Sequence, residues 1–231
     1  MIALDTLYLS AEYQPLIQTS DLQVYGYEAL SRFRNRQGVS TPPNVIFEQL
    51  HSQTTLLANI EMKAKQFQLE HSNPSLPLFI NLDPHAIENS GDSMLALLST
   101  RADLTVEIIE NTCINDANLS TRLVSQLKAK QISVALDDIG APHSMLSLEL
   151  LSQVNILKFD IEWLNQSSSV ELQHLMKALI QFAKDSNKKT VLEGVETREQ
   201  LKLAQELGVD LVQGFLFKPQ FQYADCSVKL I

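Results

Sequence analysis

Between residues 77 and 213 short apolar runs alternate with longer stretches whose apolar positions recur every three to four residues. The apolar runs read Pro77-Leu78-Phe79-Ile80, Leu104-Thr105-Val106, Ile132 to Leu136, Asn155-Ile156-Leu157, Thr190-Val191-Leu192 and Asp210-Leu211-Val212. Their length suits buried strands, and the stretches between them predict helices over about 84–98, 116–130, 144–151, 170–184 and 198–207. The last helix is punctuated at both ends. Thr197 and Gln200 stand at capping-box spacing, and Gly208 follows the final turn. Upstream, residues 8–17 and 24–33 flank a turn around Thr19-Ser20-Asp21 and predict an antiparallel hairpin. Pro42-Pro43 opens a helix through about Leu50, and a longer helix follows over about 54–70, with Leu57, Ile60, Ala64, Phe67 and Gln68 near one stripe. Strands alternating with helices predict right-handed βαβ units. With the hairpin this gives about eight strands, and the expected fold is an α/β barrel. The alternative is an open doubly wound sheet.

The strand ends separate the two. Each apolar run is closed by a polar residue: Asn81, Glu107, Asp137-Asp138, Lys158, Glu193 and Gln213. A carboxylate at the tip of a buried strand must be paired, hydrogen-bonded or placed on a metal. A closed parallel barrel gathers its carboxyl ends on one face, where its active site lies. A doubly wound sheet offers one crevice and gives less reason for six polar tips.

Composition narrows the picture. A chain of 231 residues fits one barrel, so a single domain over 1–231 is expected, and 45% hydrophobic with 19% charged residues is globular. The formal net charge is −9 and no basic run occurs, so the footprint of a duplex nucleic-acid or anionic-membrane binder is missing. Cys113 and Cys226 lack a C-x-x-C spacing and read as reduced thiols. Residues 1–10 show no signal-peptide pattern and no apolar stretch approaches the roughly 20 residues of a membrane span. A cytoplasmic location is expected.

The candidate ligands are Glu28, Asn81, Glu107, Asp137, Asp138 and Glu193. All are oxygen donors, which suits Mg²⁺ or Mn²⁺. Five carboxylates in one pocket repel and raise one another's pKa. Two divalent cations resolve that conflict, with the adjacent aspartates able to bridge them, and such pairs suit in-line displacement at phosphorus. Lys158, at the next tip, can orient a water or take part in proton transfer. Each residue alone has a plainer reading: Asp137-Asp138 as a helix cap, Glu28 on an edge strand, Lys158 as a snorkelling strand end. Glu196 either complements the dipole of the helix beginning beside it or supports the site. Glu110, three residues past Glu107, is a weaker candidate for the same supporting role. The ordered set carries the signal.

The motifs that hold these residues resemble the EAL family of cyclic-di-GMP phosphodiesterases. Its name-giving tripeptide is Glu28-Ala29-Leu30, within Tyr27-Glu28-Ala29-Leu30-Ser31-Arg32. Around it stand Tyr13-Gln14-Pro15-Leu16-Ile17, Phe79-Ile80-Asn81-Leu82-Asp83-Pro84, Val106-Glu107-Ile108-Ile109-Glu110, Ala135-Leu136-Asp137-Asp138-Ile139-Gly140, Leu157-Lys158-Phe159-Asp160, Glu193-Gly194-Val195-Glu196-Thr197 and Gln213-Gly214-Phe215-Leu216-Phe217. The resemblance spans essentially the whole chain in the family's order. It implies a modified TIM (β/α)₈ barrel with one antiparallel strand near the N-terminus. It implies that Glu28, Asn81, Glu107 and Asp137 hold one Mg²⁺ or Mn²⁺, that Asp137, Asp138 and Glu193 serve a second, and that Lys158 and Glu193 handle water and proton. It further implies that Gln14, Leu30, Arg32 and Gln213 contact the dinucleotide, whose hydrolysis yields linear 5′-pGpG, and that a homodimer forms through the region after Asp138.

That region departs from the family's usual Asp-Asp-Phe-Gly-Thr-Gly-Tyr-Ser-Ser-Leu, reading Asp137-Asp138-Ile139-Gly140-Ala141-Pro142-His143-Ser144-Met145-Leu146. Pro142 replaces a glycine, Ala141 lacks a hydroxyl and His143 replaces a tyrosine. Asp83 stands where a serine is usual, and the segment after Phe217 is one residue shorter. The departures motivate a second reading, an EAL-like module that binds cyclic-di-GMP or a protein partner with little turnover. A third reading, a barrel metalloenzyme abstracting a proton beside a carboxylate, accounts for the acids and Lys158 but not for Arg32 and Gln14.

Overall fold

The structure, a computed structural model, describes residues 2–87, 91–109, 114–142, 144–166 and 169–231. Among these residues eight strands close a barrel: β1 (Leu7–Gln18), β2 (Val24–Asn35), β3 (Leu78–Asn81), β4 (Leu104–Ile109), β5 (Ser133–Ile139), β6 (Ile156–Phe159), β7 (Lys189–Leu192) and β8 (Leu211–Val212). Strands β2 to β8 pair parallel with their neighbours. Strand β1 runs antiparallel to both β2 and β8 and closes the ring. The expected barrel with one reversed strand is the observed architecture.

Strand alternation sorts the apolar residues into two cores. Leu16, Phe79, Ala135, Ile156, Val191 and Leu211 fill the barrel interior, with Tyr25 packed against them. Their neighbours in sequence, such as Ile80, Val134, Leu136, Leu157, Leu192 and Val212, point outward into the larger core beneath the helices. Those helices are α1 (Pro43–Leu50), α2 (Thr54–His71), α3 (Pro84–Ile87), α4 (Gly91–Leu98), α5 (Ile114–Ala129), α6 (Leu148–Gln153), α7 (Glu162–Asn165), α8 (Val170–Asp185) and α9 (Arg198–Leu207). On α9 the capping box and the left-handed Gly208 are both present.

Where it is described, the helix expected over 84–98 is helical at α3 and α4, and 88–90 lie outside the described residues. One expectation changes. The helix expected over 144–151 begins only at Leu148, because the Ser147 hydroxyl accepts the Leu150 amide at 3.3 Å and caps the helix there. Several short elements carry too few residues to show a period and were not expected: α7, a 3₁₀ turn at Phe215–Gln220 and two-residue strands at 40–41, 222–223 and 228–229. The last two pair with the outer edge of β1, where it extends past the barrel alongside β2. No helix among the described residues is long and apolar enough to cross a membrane.

Candidate active site

The strand period of two places the polar tips directly above the barrel's inner core. Two residues beyond Phe79, Ala135, Ile156, Val191 and Leu211 come Asn81, Asp137, Lys158, Glu193 and Gln213. Strand β1 runs the other way, so its contribution is Gln14, two residues before Leu16. Glu28 and Glu107 join from β2 and β4, opposite Gln14 and beside Asn81 respectively.

Asp138 breaks the period, since consecutive strand residues face opposite sides. The β5–β6 pairing has an irregularity between Leu136 and Ile139, and Asp138 takes a left-handed φ of 57°. The bulge brings Asp138 to the same side as Asp137 and near Glu193, carboxyl oxygens of all three lying within 4.8 Å of one another. The turn is held from behind. Trp163 of α7 donates its indole N–H to the Ile139 carbonyl at 2.7 Å, and a Cβ on Gly140 (φ 88°) would overlap that indole.

Lys158 is the centre of the cluster and is fully buried. Its ammonium lies 2.7 Å from Glu107, 2.8 Å from Glu193, 2.9 Å from Asp137 and 3.8 Å from Glu28. Oxygens of Glu28, Glu107 and Asp137 form a second group within 4.8 Å. Asn81 Nδ2 and Gln213 Nε2 each donate to Glu28 at 2.7 Å.

One ammonium does not balance five carboxylates, and the pKa directions show it. Burial and then the repulsion of Asp137 push Asp138 up to about 7. Burial drives Glu193 to about 8 against the pull of Lys158. Glu107 is raised well above the carboxylate range by burial and by Glu28, while Asp137 is raised by burial against the pull of Lys158. Glu28 ends below its ordinary value: burial pushes it up, but Lys158 and hydrogen bonds from Gln213, Glu107 and Asn81 outweigh that. Burial lowers Lys158, yet Asp137, Glu107, Glu193 and Glu28 carry it well above its ordinary value.

Among the remaining sequence candidates, Arg32 and Gln14 are joined through Glu12, which the sequence reading missed. Arg32 Nε donates to Glu12 at 3.0 Å and Gln14 Nε2 donates to its other oxygen at 2.8 Å. Gln213 Nε2 also lies 3.4 Å from Gln14 Oε1. The available signal for Glu12 was parity: it precedes Gln14 by two on the reversed strand. Leu30 and Arg32 line a cavity that reaches the cluster at Asn81. Asp83 lies between two imidazoles, 2.8 Å from His51 and 3.1 Å from His85. Glu196 has an exposed side chain, and only its amide joins the α9 cap, donating to Gln200. Glu110 and His143 lie outside the described residues.

The donor set fits hard divalent cations. Two overlapping groups of oxygen ligands share Asp137, and among the described residues the one cation facing Glu107 Oε1 and Asp137 Oδ1 is Lys158. Carboxylates raised this far by burial and mutual repulsion gain most from added positive charge.

A model of the EAL domain family matches residues 2–220. The probable cyclic di-GMP phosphodiesterase PdeN of Escherichia coli K12 is 29% identical over 216 residues, 88% of this chain and 42% of PdeN. The bifunctional diguanylate cyclase/cyclic di-GMP phosphodiesterase MucR of Pseudomonas aeruginosa is 27% identical over 234 residues, 93% of this chain and 33% of MucR. The chain therefore spans less than half the length of these relatives. Among solved structures, the manganese/cyclic-di-GMP complex of Klebsiella pneumoniae BlrP1 superposes with a TM-score of 0.75 at 22% identity, covering 94% of this chain and 56% of that one.

Proposed function

The chain belongs to the EAL domain family, and from that premise we propose that it hydrolyses cyclic-di-GMP to linear 5′-pGpG with two divalent cations. The observation that carries the proposal is the single layer of Glu28, Asn81, Glu107, Asp137, Asp138, Lys158, Glu193 and Gln213 above the inner core. The names of PdeN and MucR and the ligands of the BlrP1 complex support the substrate and metal class.

Glu28, Asn81, Glu107 and Asp137 would hold one cation, and Asp137, Asp138 and Glu193 the other. Such ions, when bound, polarise a phosphodiester oxygen and lower the pKa of water. The rest falls to the chain. Glu193, beside the Lys158 ammonium, takes a proton from the attacking water. As the water oxygen bonds to phosphorus, one P–O3′ bond breaks and O3′ leaves with the proton that Glu193 took up, which opens the ring. Lys158 keeps Glu107, Asp137 and Glu193 in fixed relation and presents a proton-bearing charge toward developing anionic oxygen. Arg32, held in place by Glu12, donates to phosphate. Gln14, Gln213 and Leu30 fix the dinucleotide about it. A homodimer would cover the exposed Met145, Leu146 and Leu148 beyond the Asp138 turn.

Purified protein incubated with cyclic-di-GMP and Mn²⁺ or Mg²⁺ is expected to give 5′-pGpG on chromatography, and Glu28→Ala to give none. Substrate bound but left intact by the unaltered protein would overturn the catalytic proposal in favour of a binding module.

A further inference from the structure

The ligands proposed for the second cation arise on two strands that do not pair with each other. Asp137 and Asp138 belong to β5, Glu193 follows β7, and β6 lies between. Their carboxyl oxygens nevertheless lie within 4.8 Å of one another, so the two strand exits are held at a fixed separation. The backbone ladder does this up to the tips. The Asp160 amide donates to the Ile139 carbonyl at 3.1 Å, and the Glu193 amide to the Phe159 carbonyl at 2.9 Å. Beyond the tips the ladder ends and α7 takes over.

The chain entering α7 touches both exits. Trp163 gives the Ile139 carbonyl a second donor, its indole N–H at 2.7 Å, and its ring packs on Gly140. Ile161, which precedes the helix, packs on Gly194, where φ is 69° and a Cβ would overlap the isoleucine side chain. Ile139 directly follows Asp138, and Gly194 directly follows Glu193. The entry itself is anchored. Asp160 Oδ1 accepts the Glu162 amide at 2.9 Å, and the Trp163 ring meets the fully buried Phe159 edge-on at 5.8 Å. Glu28, Asn81 and Glu107, proposed for the first cation, stand on β2, β3 and β4, and none of these contacts reaches them.

We propose that Ile161 and Trp163 are positioning residues for the second cation alone, with α7 as the spacer that sets Asp138 against Glu193. The inference rests on the two-cation reading and adds to it the device that shapes one of the two sites. Asp138 depends on that device most, because its left-handed φ of 57° is an uncommon conformation for a residue with a side chain. The donors to the Ile139 carbonyl and the indole behind Gly140 hold the turn in that conformation. Groups that orient a metal ligand from outside commonly govern metal affinity by about 10–100-fold.

Titration of the metal-free protein with Mn²⁺, followed by calorimetry, is expected to show two binding events. Asp138→Ala and Asn81→Ala assign them, each abolishing one. Trp163→Phe keeps an aromatic ring beside Phe159 and removes the N–H, while Ile161→Ala removes the contact with Gly194. Each is expected to weaken the Asp138-dependent event about tenfold and to leave the Asn81-dependent event within about threefold. Thr197→Ala, a destabilising change away from α7, is expected to move neither event. Trp163 is the chain's one tryptophan, which adds a second readout. Its emission is expected to respond to Mg²⁺ in the unaltered protein and in Asn81→Ala, and not in Asp138→Ala. Trp163→Phe decides the matter by itself if Ile161→Ala does not fold. A Trp163→Phe protein in which both events weaken alike, or neither does, overturns the inference and leaves the two-cation reading intact. An unaltered protein that takes up fewer than two Mn²⁺ overturns that reading and the inference with it.

Discussion

Lys158 bears the greatest electrostatic load of any single residue described, facing Glu107, Asp137, Glu193 and Glu28 from a fully buried position. Replacing it with methionine removes the countercharge but leaves the acids. Lys158→Met is therefore expected to lower stability in chelator by about 3–5 kcal/mol. It should also enlarge the rise in Tm produced by Mn²⁺ and cut cyclic-di-GMP turnover at least about 100-fold. Calorimetric scans with and without the ion, followed by chromatography, check all three. The raised carboxyls set a pH dependence as well. Asp138 near 7 and Glu193 near 8 start from ordinary values of 3.8 and 4.5. The folded chain thus binds more protons than the unfolded chain across that window. Their contribution makes stability in chelator fall as pH rises from about 4 to about 8, then level off. A Tm in EDTA that rises between pH 5 and pH 8 would contradict this.

Among the elements, the Asp137–Gly140 turn carries the most consequence. An irregular register, a left-handed Asp138 and an indole packed on Gly140 together bring two consecutive carboxylates to one side. Gly140→Ala asks an L-residue to hold a φ of 88° against Trp163, so a loss of at least about 1–2 kcal/mol is expected. Weaker Mn²⁺ binding should accompany it, read by urea unfolding and a metal titration. Thr197→Ala provides the contrast. Loss of the α9 cap is expected to cost about 1 kcal/mol and to leave metal affinity unaltered, because the Thr197 hydroxyl bonds to the Gln200 amide and to no proposed ligand. The helix expected over 144–151 was misjudged at this scale: its apolar period continued through 144–147, but the Ser147 cap decided where winding begins.

At the scale of the molecule, the barrel turns scattered sequence positions into one charged layer, and through that layer the proposed metal binding would be linked to folding. Divalent cations that bind only the folded chain are expected to raise Tm, by an amount equivalent to about 2.7 kcal/mol at a hundredfold excess over Kd. Removing them with EDTA should reverse the gain, as differential scanning in Mn²⁺, Mg²⁺ and chelator would show. The amino-acid sequence by itself determined the strands, most helices, the α9 cap and the polar tips, because each depends on period, cap chemistry or an apolar run within a few residues. It also held the site residues in the order of the EAL motifs. Only the tertiary structure decided that Glu12 joins Arg32 to Gln14, that Trp163 backs the double-aspartate turn, and that Glu61 and Lys65 face a cavity instead of solvent. Those three facts depend on contacts between residues far apart in the chain, and barrel closure together with helix packing creates them. On α2 the charges of Glu61 and Lys65 resemble an ordinary exposed i, i+4 pair; what buries them is the barrel wall against which the helix packs.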